Sequence, residues 1–156
     1  MTSSGLNGVT AGSSAISTVG QADVGLTYRG YSITDLAANS TFEEVAYLLI
    51  YGKLPGQNEL DAYKKKLAGL RTLPDALKTL LEALPASTHP MDVLRTGTSL
   101  LGTLETEGES GRTAVSVGDR LTASFGSMLA YLYRFHLRNE RIDTESDEDT
   151  VAGHFL

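Results

Sequence analysis

Three histidines, at positions 89, 136 and 154, are the side chains of this 156-residue chain best suited to proton transfer near neutral pH, and no cysteine accompanies them. His89 stands in HPMDVLRTG, residues 89–97, beside a proline, an acid and an arginine, a grouping that could supply a general base with charged neighbours. The spacing argues against it. Arg95 follows His89 by about 1.7 helical turns, so the two need not share a face, while Asp92 and Arg95 form an ordinary i,i+3 pair. His89 directly precedes Pro90, and proline is favoured at the first helical position. His89 is therefore read as an N-cap or N′ residue, and His136 and His154 receive the same structural reading.

Other candidates reduce in the same way. Glu43 and Glu44 are adjacent acids in the first turn of an expected helix, where they complement its dipole. Lys64, Lys65 and Lys66 could meet an anion, but on an amphipathic helix a solvated face is the simpler reading. There is no P-loop, no His-Glu-x-x-His, no Gly-x-Ser-x-Gly and no zinc spacing. Residue chemistry thus assigns no catalytic, cofactor-binding or metal-binding residue.

The elements that must position these groups are mostly helical. Two short β-type pieces, residues 15–19 and 26–31, flank the turn VGQADVG and predict a small hairpin near the N-terminus. Ser32 with Asp35, and Thr41 with Glu44, have capping-box spacing before two helices, the second stopped by Gly52 and Pro55. Leu60, Tyr63, Leu67 and Leu70 mark a helix over 57–71, with the three lysines directed elsewhere. Pro74 at N1 opens another, with Leu77, Leu80, Leu81 and Leu84 inward and Pro85 at its end; Pro90 opens the next. TLETEGESGR, residues 103–112, has no apolar period and reads as a mobile loop.

The strongest pattern is Val117, Leu121, Phe125, Met128, Leu132 and Phe135, which predicts a helix from Thr113 to Arg138, about 38 Å long. Its flank carries Gly118, Ala123, Ser124, Gly126, Ser127 and Ala130, small residues that let a second helix approach, from within the chain or from a partner. Asp147 to Asp149 suit the start of a last helix, whose apolar face of Val151, Phe155 and Leu156 has no cap after it, so the chain is read as interrupted there.

Composition bounds the rest. At 41% hydrophobic residues, the chain has the make-up of one globular domain, large enough to bury about 68–70% of its unfolded surface. A net charge of −6 disfavours nucleic acid, and the lack of any long apolar run or signal-type start disfavours a membrane span or export. The absence of cysteine fits a reducing cytoplasm.

Read together, AGSSAISTVG (11–20), LTYRGYSITDLA (26–37), TFEEVAYLLIYGKLP (41–55), LKTLLEALP (77–85) and HPMDVLRTG (89–97) resemble the N-terminal part of the citrate synthase family. TVG before YRGY, LLIYGKLP, and the late ERI and GHFL pieces resemble its 2-methylcitrate branch most. The resemblance implies a mainly α fold: residues 1–156 as the N-terminal portion of the large helical domain, with a small β-hairpin, and without the small catalytic domain. It implies a homodimer joined through helices near 90–102 and 113–138. The activity implied is condensation of propionyl-CoA, or acetyl-CoA, with oxaloacetate and water, without a metal or redox cofactor.

In that chemistry the resemblance implies a carboxylate that removes an α-proton, one histidine that stabilises the resulting enol, and a second that protonates the oxaloacetate carbonyl oxygen as the new bond forms. The family motifs carrying those groups match nothing here, so no catalytic residue carries over. Asn7 stands where some relatives have a basic residue near the CoA, which leaves that contact unsupported. The alternatives are a portion of a citrate synthase, or a non-enzymatic helical dimerisation or interaction domain.

Overall fold

A computed structural model describes residues 12–18 and 25–156. Asn7 and most of the VGQADVG turn lie outside the described residues. The chain forms two compact units, Met1–Thr41 and Phe42–Leu156.

The first unit contains a three-stranded antiparallel sheet where the sequence predicts a two-stranded hairpin. Strand β1 (Ser17–Thr18) pairs with β2 (Thr27–Tyr28), which pairs in turn with β3 (Tyr31–Ser32). The piece LTYRGY is not one strand, because Arg29 and Gly30 adopt φ of 50° and 89°. Two consecutive positive φ values make the tight turn whose twist matches antiparallel strands, so YRGY reverses the chain. Helix α1 (Ile33–Asn39) follows directly. Its expected capping box is absent: Ser32 ends β3, and its hydroxyl makes no cap hydrogen bond.

The second unit is helical throughout: α2 (Phe42–Tyr51), α3 (Gln57–Ala68), α4 (Asp75–Ala83), α5 (Pro90–Leu104), α6 (Ala114–Arg138) and α7 (Val151–Phe155). Gly52 stops α2 with a left-handed φ of 85°, and its amide closes onto Leu48 O at 2.9 Å. Pro74 caps α4 one residue before the expected N1 position, with its carbonyl accepting from Leu77 and Lys78. Thr113 and Ser116 exchange side-chain-to-backbone bonds in a capping box that starts α6. At the other end Asn139 turns left-handed, and its amide donates to Phe135 O.

Helix α6 is the axis of this unit. No residue from 116 to 132 is exposed, so the apolar stripe and the small-residue flank are both covered. Met128 and Tyr131 join Leu73 of the α3–α4 link, Leu77 and Leu81 of α4, and Val93 and Leu101 of α5 in one core. Ala123, on another side of α6, packs with Tyr63 and Leu67 of α3. The small flank is used within the chain: a Cβ on Gly118 would lie 3.7 Å from Ile50, and one on Gly126 would lie 3.5 Å from Phe155.

The glycines of α5 separate packing from propensity. A Cβ on buried Gly97 would sit 2.9 Å from Met128 Sδ and 3.5 Å from Leu77, whereas Gly102 is exposed and faces open space. Gly97→Val is expected to destabilise by about 1–3 kcal/mol through overpacking, and Gly102→Ala to stabilise by up to about 1 kcal/mol through helix propensity. Urea unfolding followed by circular dichroism reads both; equal effects would refute this account of the α5–α6 contact.

Candidate functional site

His89 caps α5 as expected, with Nδ1 accepting from the Met91 amide at 3.2 Å. Arg95 pairs with Asp92 at 3.1 Å, and both are exposed. Lys64 and Lys65 line a polar hollow, and Lys66, on the exposed face expected of it, also carries an unexpected pairing. Its Nζ lies 2.5 Å from Asp119 Oδ2, and Asp119 is fully buried in α6. Tyr51 donates to the same oxygen at 2.6 Å. Burial alone would discharge a lysine; the Asp119 and Tyr51 contacts outweigh it and hold Lys66 above its ordinary value. Burial, then Asp119, raises the Tyr51 and Tyr63 hydroxyls. Tyr47, Tyr51 and Tyr63 wall the cluster, with ring centroids 4.3–5.8 Å apart.

Glu43 is likewise not an ordinary first-turn acid. It is buried, and its Oε1 accepts from the Val151 amide at 2.8 Å, fixing the start of α7. The residue that organises this region, Arg71, escaped the sequence reading altogether. It sits between α3 and α4 with no exposed surface. Its guanidinium donates to Glu148 O at 2.6 Å, Thr150 O at 2.9 Å and Ser146 Oγ at 3.2 Å. The extended segment 144–150 is thereby strapped across the unit, helped by Leu73 N donating to the buried Thr144 hydroxyl at 3.2 Å. His154 ends the network, bonded to Ser127 and Ser146 at 2.9 and 2.8 Å.

The TLETEGESGR segment is the expected loop from residue 105 on, with a single 3-10 turn at Glu109–Gly111, but charged contacts tie it down. Helix α5 continues through Leu104, and Glu105 then accepts from Arg112 at 2.8 Å and from Arg120 Nη2 at 3.0 Å. Arg120 also donates to Leu70 O and Thr72 O, joining α6 to the α3–α4 link. Burial would raise the Glu105 carboxyl; bonds to Arg120 and the charges of Arg120 and Arg112 overcome it and hold the carboxyl below its ordinary 4.5.

A depressed carboxylate binds fewer protons in the fold than in the unfolded chain. Its contribution is therefore complete above the unfolded value and lost as pH falls through the folded one. Glu105→Gln should remove that component, flattening the decline of the urea midpoint below about pH 4.5. An unchanged slope would show that the triad carries no pH-dependent stability.

The described residues thus bring together buried ion pairs and hydroxyl networks, in which Tyr63 Oη, Asp119 Oδ1 and Arg71 Nε have no hydrogen-bond partner, and among them is no activated nucleophile beside a base. Asp119 had a readable signal, since Asp119, Ala123 and Ser127 recur every fourth residue on one face of α6. Arg71 had none, because its partners lie 75 or more residues away. The class defined is a helical scaffold built around one long central helix, with a small sheet beside its first helix.

A family model described as "Citrate synthase, C-terminal domain" matches residues 5–156. The chain belongs to the citrate synthase family. It is 55% identical over 156 residues to the 2-methylcitrate synthase of Shewanella oneidensis, an alignment that takes in all of this chain and 41% of that protein. The crystal structure of citrate synthase from Thermotoga maritima superposes with a TM-score of 0.71 at 37% identity, over 86% of this chain and 35% of that one. A ternary complex of carboxymethyl coenzyme A and oxaloacetate with citrate synthase from Thermoplasma acidophilum shares the fold, with a TM-score of 0.82 at 24% identity over 96% and 40%. The chain therefore spans about two fifths of the length of such relatives.

Proposed function

We propose that this chain is the N-terminal part of the large helical domain of a 2-methylcitrate synthase, an acyl-CoA condensing enzyme that joins propionyl-CoA to oxaloacetate with release of CoA. The observation that carries the reading is the 55% identity to a 2-methylcitrate synthase across the full chain. In this reading the enzyme works in the cytoplasm as a homodimer. The second unit is its scaffold: α6, with no exposed residue from 116 to 132, fixes the helices against which the catalytic part of the enzyme is set. The exposed apolar side chains Met91, Tyr133, Leu137 and Phe155, on α5, α6 and α7, are the surface such packing needs.

The test is complementation. Co-expression of the 156-residue chain with the remaining part of the Shewanella enzyme is expected to restore oxaloacetate-dependent CoA release from propionyl-CoA, while the chain alone releases none. Enzyme-like turnover by the chain alone, or a stable folded monomer that never complements, would overturn the proposal. The second outcome would favour a self-sufficient interaction domain instead.

A further inference from the structure

His154 is held through both ring nitrogens, Nε2 by Ser127 Oγ of α6 and Nδ1 by Ser146 Oγ of the strap. Ser146 Oγ also accepts from Arg71 Nη1 at 3.2 Å. A guanidinium only donates, so Ser146 Oγ accepts there and its own proton is free to go to His154 Nδ1, the arrangement in which the ring proton sits on Nε2 facing Ser127. The donors thus run one way, from Arg71 through Ser146 and His154 to Ser127. A second proton on the ring reverses the Ser146–His154 bond. It also places an imidazolium and a guanidinium on one hydroxyl oxygen, their nitrogens no more than about 6 Å apart.

The surroundings do not compensate. Arg71 faces His154 from the α3–α4 link, and Arg134 and Arg138 of α6 line the same groove as His154. Glu148 of the strap is the acid that attracts a protonated ring. Asp61, Lys64 and Lys65 of α3 share a hollow with Asp147, Glu148 and Asp149, while Glu43 of α2 is engaged by the Val151 amide. On the other side, Phe155 lies over Gly126 and, with Val93, Leu129, Leu132 and Tyr133, borders a groove of about 780 Å³.

We propose that His154 is a proton-operated latch: neutral, it fastens α7 onto α6 beside the strap that Arg71 holds, and protonated, it releases α7 and opens the groove beneath Phe155. The direction follows from linkage. Burial, with Arg71 beside it, holds the imidazole below its ordinary 6.5. The fold therefore favours the neutral ring, and the latch contributes fully above the unfolded value and weakens as pH falls through the folded one.

Nitrogen-15 spectra of the His154 ring, with amide exchange corrected for intrinsic rates, test this on the whole chain. The expected result is an Nε2–H tautomer at pH 7.5 and titration below 6.5. Protection at residues 151–155 should fall severalfold relative to α5 by pH 5.5, up to the roughly tenfold ceiling that an ordinary value of 6.5 sets at that pH. His154→Gln should remove that pH dependence. If the variant cannot hold α7 at any pH, the wild-type titration decides, because ring protonation and loss of protection must then share a midpoint. An Nδ1–H tautomer, an ordinary or raised midpoint, or protonation without loss of protection overturns the latch.

Discussion

Arg71→Met is expected to lower the unfolding free energy by about 3–5 kcal/mol, the largest single loss in the second unit. The substitution keeps an apolar stem of similar length, so little packing volume is lost. What disappears is the fork of donors that satisfies Glu148 O, Thr150 O and the Ser146 hydroxyl. Hydrogen bonds to a charged group are each worth more than neutral ones, and their acceptors here would stay folded without partners. Glu43, almost fully buried and attracted to Arg71, would also lose its cation. Arg71→Lys should recover only a small part, because one ammonium cannot span acceptors spread over residues 146–150. Urea unfolding gives the energy, and amide exchange locates the damage at 144–155. A loss below about 1 kcal/mol would show that the strap is held by something else.

The second large effect is expected at Asp119. Asp119→Ala should cost about 2–4 kcal/mol, since it strips a fully buried acceptor from both Tyr51 and Lys66. The cost is smaller than at Arg71 because Lys66 is 44% exposed and can turn to water. Asp119→Asn keeps an acceptor for Tyr51 but no charge for Lys66, and should fall between alanine and wild type. A double-mutant cycle with Lys66→Met isolates the pair; a coupling near zero would mean that Asp119 serves Tyr51 alone.

The helices were legible because their signals are local. Pro90 fixes the start of α5 with His89 as its cap, Gly52 ends α2, and the stripe through Met128 marks α6 with almost its observed bounds. The reversal at Arg29–Gly30 was missed because arginine seldom takes positive φ, so YRGY looked like continuous strand. Lys66 keeps the exposed face that periodicity gives it, but its pairing with buried Asp119 is not legible, because a long side chain reaches around the helix.

By itself the sequence determined the helical class, the ends of most helices and the absence of a local catalytic motif, since all of these depend on residues within a few turns of each other. It also carried the family resemblance, which five ordered blocks spread along the chain made specific. Only the tertiary structure decided what the polar residues do. Arg71, Asp119, Glu43, Glu105 and His154 are charged or titratable groups taken from water, and each is tolerable only beside partners brought from distant positions. No pattern near Arg71 announces a strap more than seventy residues downstream. Its role exists only once α3, α4 and the 144–150 segment have closed around it.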